Sequence, residues 1–177
     1  ASGLSMPIGF KNGTDGSPIT AINAMEAAAR PHHFLGINAE GHASIVSTTG
    51  NPDGHLVLRG GKGGPNYHRE AVEQAAAQLA GEGLPARLMV DCSHGNSGKC
   101  HRRQATVARA VAAQVADGST TVRGVMLESN LVAGRQDLGD GKDLTYGQSV
   151  TDACMGWERT QPLFGMLAEA VRSRRDR

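Results

Sequence analysis

Apolar residues along this 177-residue chain fall in short runs, each closed by a charged or polar side chain. The runs are Met6-Pro7-Ile8-Gly9-Phe10-Lys11, His55-Leu56-Val57-Leu58-Arg59, Arg87-Leu88-Met89-Val90-Asp91-Cys92-Ser93-His94 and Val122-Arg123-Gly124-Val125-Met126-Leu127-Glu128. A helix-type segment follows each one. Strands alternating with helices predict a parallel sheet whose strand ends converge on one site. In a (β/α) barrel, chemistry is built at that end. The pattern therefore predicts an α/β fold: about four βα units, half of a (β/α)8 TIM barrel, over residues 1–177. Half a barrel leaves two sheet edges open. The chain is expected to need its other half, or a second copy of itself, to close the cylinder.

Finer boundaries follow from local chemistry. The first helix is expected at 19–30, with Ser17 as N-cap, Pro18 in the first helical position and Pro31 as the stop. Residues 33–38 and 43–48 both have strand character and flank Glu40-Gly41, which predicts a β-hairpin inserted at about 33–48. Helices are expected at 68–82, 101–116 and from 154 or 157 to 174, with a long polar loop over 129–150.

Composition narrows the functional classes. A net charge of +1 and no internal basic run leave no expectation of nucleic acid; the arginine-rich tail from Arg172 is expected to be a frayed helix end. No stretch has the apolar length of a membrane span. Three cysteines in unrelated contexts suit a reducing compartment, and so a cytoplasmic protein, better than a disulfide framework. Gly60-Gly61-Lys62-Gly63-Gly64 lacks both the spacing of a Walker loop and the Ser or Thr after its lysine.

The strand ends carry the candidate chemistry. Period-two alternation puts Val90, Cys92 and His94 on one face of the third strand. It puts Gly124, Met126 and Glu128 together on the fourth, and both faces are expected to point inward. His94 and Glu128 lie about one βα unit apart, and Asp152 follows the long loop. One imidazole and two carboxylates suit Mn, Fe, Co or Zn. On spacing alone a second reading stays open: a hydrogen-bonded strand-end His94, a surface Glu128 and an N-capping Asp152. Lys11 and Arg59, each followed by glycines, suit an anion such as phosphate, or else reach out to solvent.

Five segments together resemble one family. They are Gly9-Phe10-Lys11-Asn12-Gly13-Thr14-Asp15-Gly16, Leu58-Arg59-Gly60-Gly61-Lys62, Asp91-Cys92-Ser93-His94-Gly95-Asn96-Ser97, Met126-Leu127-Glu128-Ser129-Asn130-Leu131 and the run from Ser149 to Glu158. In this order they resemble the type I, microbial 3-deoxy-D-arabino-heptulosonate 7-phosphate (DAHP) synthases, over essentially the whole chain. The resemblance implies a TIM-barrel transferase that condenses phosphoenolpyruvate with erythrose 4-phosphate at a divalent metal, at the head of the shikimate pathway. It implies His94, Glu128 and Asp152 as metal ligands. It implies Lys11, Arg59 and His94 as phosphoenolpyruvate contacts, with Lys11 and His94 catalytic. An aromatic amino acid inhibitor is expected near Ser5, Phe34 and Gly36 on the hairpin, whose wording is similar to tryptophan-sensitive isozymes. The family's first four strands, with a cysteine metal ligand and further substrate contacts, have no counterpart here, so little activity is expected of these residues alone. A non-catalytic module binding phosphate or an aromatic amino acid is the alternative. The related octulosonate 8-phosphate synthases fit less well, because of the run around His94 and the hairpin.

Overall fold

A computed structural model describes residues 1–177. Four parallel strands form one sheet in the order β1-β4-β5-β6: β1 (Ile8–Lys11), β4 (Gly54–Leu58), β5 (Leu88–Asp91) and β6 (Val122–Met126). The crossovers carry α1 (Ile19–Ala29), α2 (Arg69–Gly81) and α3 (Gln104–Ala116), the last entered through a 3₁₀ turn at His101–Arg103. Helix α4 (Trp157–Arg175) follows β6 and packs along α3. Strands β1 and β6 are the edges of the sheet. The half-barrel architecture expected from the alternation is the one observed.

The two faces of the sheet have different jobs. On the helix side, Leu56, Leu58, Leu88, Val90 and Cys92 join Ile22, Met25, Leu79, Val111 and Leu163 in one buried cluster. Each such aliphatic side chain contributes about 1.5–3 kcal/mol on burial. On the other face, a Cβ on Gly9 would come within 2.9 Å of His55 Nε2 and Val57 Cγ2, and one on Gly124 within 3.3 Å of Met89 Cε. Gly9, His55, Val57, Met89 and Gly124 therefore share the inner face. Lys11, Arg59 and Asp91 continue its alternation to the strand ends.

This arrangement corrects the expected face of the third strand. Val90 and Cys92 point into the helix-side core, and Met89 and Asp91 point inward. Regular alternation stops at Asp91, and His94 sits in a turn with φ 49°. That left-handed backbone returns the imidazole to the inner end although residue parity places it on the core side.

The hairpin is present, with β2 (His33–Ile37) paired antiparallel to β3 (Ala43–Ser47). The Asn38 side chain organises its turn by accepting the N–H groups of Glu40 at 3.1 Å and His42 at 2.9 Å. Helix α1 begins at Ile19 as expected, but Pro18 rather than Ser17 occupies the capping position, and the Ser17 hydroxyl accepts the Ile19 N–H at 3.4 Å. The arginine-rich tail is helical through Arg175 and not frayed, and Arg174 donates to the Ser119 carbonyl at 3.0 Å. The expected loop after β6 is also partly ordered. Strand β7 (Ser129–Asn130) pairs in parallel with β8 (Met155–Gly156), and bridges Gly134–Cys154 and Arg135–Ser149 fold the excursion back on itself.

The glycine-rich loop at 60–64 is a packing device. Gly60 has φ 69°, and a Cβ there would lie 2.5 Å from the Gly95 carbonyl carbon. A Cβ on Gly61 would lie 2.2 Å from Gly16 N. The loops after β1, β4 and β5 thus touch backbone to backbone, which only glycine permits.

Candidate metal and anion site

The ends of β4, β5 and β6 open into a cleft of about 290 Å³ lined almost wholly by polar groups, among them Arg59, Ser93, His94, Lys99, Glu128 and Asp152. Ligand atoms of His94, Glu128 and Asp152 lie within 4.8 Å of one another. His94 Nε2 is 3.5 Å from Glu128 Oε1. Two donors each about 2.1 Å from a shared ion are separated by roughly 3–4 Å, so the closest pair has the right spacing. One imidazole with two carboxylates is a donor set for a borderline divalent ion. The residues present therefore fit a metal.

Each of the three candidate side chains is held by its own device. His94 is oriented by Asp91, whose Oδ2 lies 2.9 Å from Nδ1. Glu128 lies two residues past the end of β6, and the buried Gln104 side chain bonds both its N–H and its carbonyl. Asp152 is delivered by the folded-back excursion. It does not cap the last helix, because the capping residue of α4 is Gly156. That removes the N-cap alternative for Asp152.

Lys11 does not simply reach out to solvent: its Nζ is 2.7 Å from Asp91 Oδ2. Burial pushes the Asp91 carboxyl upward, but hydrogen bonds from Lys11 and Ser93, with the Lys11 charge, outweigh it and hold the group below the usual aspartate range. Arg59 lines the cleft itself, and its backbone is pinned by the Asn12 side chain, which accepts the Arg59 N–H at 2.7 Å. Asn66 and Asn96 extend this brace: Asn66 accepts the Gly60 N–H at 2.7 Å, and Asn96 bonds the Leu58 and Asp91 carbonyls at 3.0 and 2.8 Å.

Sequence reasoning missed Asp91, Gln104, Lys99 and the three asparagines. Asp91 and the asparagines stood inside the quoted motifs or beside them, and their cue is polar side chains crowded at strand ends. Gln104 had no local cue. Cys92 is fully buried on the helix side, where burial pushes its thiol up to about 12, and it offers the cleft no ligand. On the hairpin, Phe34 and Gly36 share the face of Val46, with a Cβ on Gly36 falling 2.7 Å from Val46 Cγ2. Ser5 is exposed in the opening segment, whose Ser2 accepts a hydrogen bond from Thr48 at 3.0 Å at the base of the hairpin.

No helix is long and apolar enough to cross a membrane. The DAHP synthetase I family model matches residues 1–164. The Tyr-sensitive phospho-2-dehydro-3-deoxyheptonate aldolase of Escherichia coli K12 is 56% identical over 164 residues, covering 92% of this chain and 46% of its own length. The phenylalanine-inhibited aldolase of Saccharomyces cerevisiae is 50% identical over 182 residues, covering 99% of this chain and 49% of its own. These names specify tyrosine and phenylalanine, so the expected nearness to tryptophan-sensitive isozymes gives way to that of Tyr- and Phe-sensitive ones. The chain spans about half the length of the curated relatives it matches. The solved aldolase from Francisella tularensis SCHU S4 superposes with a TM-score of 0.92 at 48% identity, over 98% of this chain and 50% of that one. Sequence motifs, half-barrel and family model agree along nearly the whole length, and the chain belongs to the DAHP synthetase I family.

Proposed function

We propose that these residues form the C-terminal half of a TIM-barrel DAHP synthase, carrying its metal ligands and part of its phosphoenolpyruvate site. The carrying observation is the meeting of His94, Glu128 and Asp152 beside Arg59 in one polar cleft. The reaction joins C3 of phosphoenolpyruvate to the aldehyde carbon of erythrose 4-phosphate, adds water at C2 and releases phosphate by C–O cleavage.

His94, Glu128 and Asp152 would hold Mn, Fe, Co or Zn, which when bound supplies Lewis-acid polarisation of the aldehyde oxygen. Arg59 presents a planar fork suited to a phosphate or carboxylate of phosphoenolpyruvate. Lys11 adds a point charge at the neighbouring inner edge and carries a proton at Nζ beside that anion. His94 faces the same anion from the metal side. The asparagines fix the backbone from which the Arg59 side chain reaches the cleft.

An aromatic amino acid, tyrosine or phenylalanine, is the effector we assign to the hairpin near Ser5, Phe34 and Gly36. Its support is the relatives' names and the shared hairpin face of Phe34 and Gly36. The open edges of β1 and β6 are surfaces for the remainder of the barrel or for a second copy. The free thiols of Cys92, Cys100 and Cys154 suit a cytoplasmic setting.

The test is a steady-state assay of the intact protein with phosphoenolpyruvate, erythrose 4-phosphate and Mn²⁺. We expect chelator-sensitive phosphate release that Glu128→Gln and Asp152→Asn abolish. The 177-residue chain assayed by itself should turn over far more slowly than full-length relatives, because it brings three metal donors and only part of the anion site. Calorimetry with phosphoenolpyruvate against Phe, Tyr and Trp separates an enzyme site from an amino-acid-binding module.

A further inference from the structure

Asp91 has no part in the chemistry proposed above, yet its carboxylate takes four hydrogen bonds at the site. It is fully buried. Its Oδ2 accepts from Lys11 Nζ at 2.7 Å and from His94 Nδ1 at 2.9 Å. Its Oδ1 accepts the Ser93 N–H at 2.9 Å and the Ser93 hydroxyl. Lys11 ends β1 and Asp91 ends β5, with β4 between them. One carboxylate thus spans an intervening strand to reach the ammonium while also meeting the imidazole.

The proton inventory decides the state of that imidazole. A carboxylate has no proton to donate. The single proton of the Ser93 hydroxyl is spent on Asp91 Oδ1, which leaves Ser93 Oγ, 2.8 Å from His94 Nδ1, as an acceptor as well. Nδ1 therefore faces two acceptors and must bear the hydrogen. In the neutral ring the lone pair is then left to Nε2, on the Glu128 side of the cleft and 3.5 Å from Oε1.

We propose that Asp91 is a positioning residue that fixes His94 in the Nδ1–H form with Nε2 presented to the metal, and with the same oxygen anchors the Lys11 ammonium. The metal and anion subsites are then set by one buried group, and neither can shift without the other. This rests on the metal-site reading above.

The experiment has two arms, both on the intact protein. The first is ¹⁵N-histidine NMR of the metal-free wild type at mildly alkaline pH. Neutral His94 is expected with its proton on Nδ1 and a pyridine-type Nε2; a proton on Nε2 overturns the proposal. The second is calorimetry with Mn²⁺ on wild type and Asp91→Asn. The carboxamide has no charge and only one acceptor oxygen, so its NH₂ must replace either the oxygen that meets Lys11 and His94 or the one that meets Ser93. A loss of about 10- to 100-fold in Mn²⁺ affinity is expected, with loss of the His94 tautomer signature. Affinity within about twofold of wild type overturns the proposal. If Asp91→Asn fails to fold, the wild-type tautomer decides alone. If wild type does not bind Mn²⁺, the metal reading falls, and the tautomer still tells whether Asp91 orients His94.

Discussion

Gln104 and Glu128 are joined by a two-bond clamp. The Gln104 Oε1 accepts the Glu128 N–H at 2.8 Å, and its Nε2 donates to the Glu128 carbonyl at 3.2 Å. The carboxamide copies the pairing of a neighbouring strand just where β6 has ended, and it does so from the first residue of α3. Gln104 is only 1% exposed, and its Oε1 is the one partner of the Glu128 N–H. Gln104→Leu should leave the Glu128 N–H unpaired, while the carbonyl keeps the Met155 N–H at 2.9 Å. The expected cost is about 1–3 kcal/mol in urea denaturation, with weaker Mn²⁺ binding because Glu128 loses its anchor. Gln104→Glu retains the acceptor and loses the donor, and should fall between the two.

If His94, Glu128 and Asp152 bind one ion, that ion stabilises the fold by mass action. At 100 times its dissociation constant, a metal that binds only the folded state adds about 2.7 kcal/mol. Mn²⁺ should therefore raise the melting temperature of wild type, and EDTA should reverse the rise. Glu128→Gln and Asp152→Asn should abolish most of the shift while melting near wild type without metal, since neither side chain belongs to the hydrophobic core. Equal shifts in all three proteins would sink the shared-ion assignment.

What could be read from the chain alone follows from where regular alternation holds. Lys11 and Arg59 lie on or one residue past a regular strand, so counting by two places them correctly on the inner face. Glu128 lies two residues past β6 and still obeys the count, because Gln104 extends strand-like pairing there. His94 does not, because the bend at Cys92 and Ser93 and its own φ of 49° separate it from the end of β5. The same counting therefore hid Asp91 on the wrong face. Asp152 depends on bridges from Gly134 to Cys154 and from Arg135 to Ser149, which leave no periodic trace. The motif resemblance alone points it to a metal. Gln104 looks like an ordinary polar helix residue until the end of β6 is placed beside it.

The contact of Gly60 and Gly95 carries a mechanical prediction. A Cβ on Gly60 would lie 2.5 Å from the Gly95 carbonyl carbon and 2.6 Å from Asn96 N, and one on Gly95 would lie 2.7 Å from Gly61 N. These obstacles are backbone atoms, which cannot rotate away. Gly60→Ala also pays for its φ of 69°. Each substitution should cost about 1–3 kcal/mol and separate the loops that carry Arg59 and His94. Denaturation should show the loss, and calorimetry with phosphoenolpyruvate should show weaker binding. Gly81→Ala, where a Cβ meets nothing within 4 Å, is the matched control and should be neutral or mildly stabilising.

His55 links the inner face to pH. Its ring stands beside Gly9 on β4, and burial lowers its pKa below the ordinary imidazole value. The folded protein therefore keeps His55 neutral at a pH where the unfolded chain already takes up a proton. The stability tied to the neutral ring is complete above the unfolded value of about 6.5 and is lost as pH falls from there through the lower folded value. Urea midpoints measured at intervals from about pH 7.5 down to about pH 5.5 should decline for wild type. His55→Gln cannot titrate, so its decline over the same window should be shallower, whatever its stability at the upper end. Parallel curves for the two proteins would mean that the unfolded and folded states bind this proton equally, and that the ring beside Gly9 is open to water.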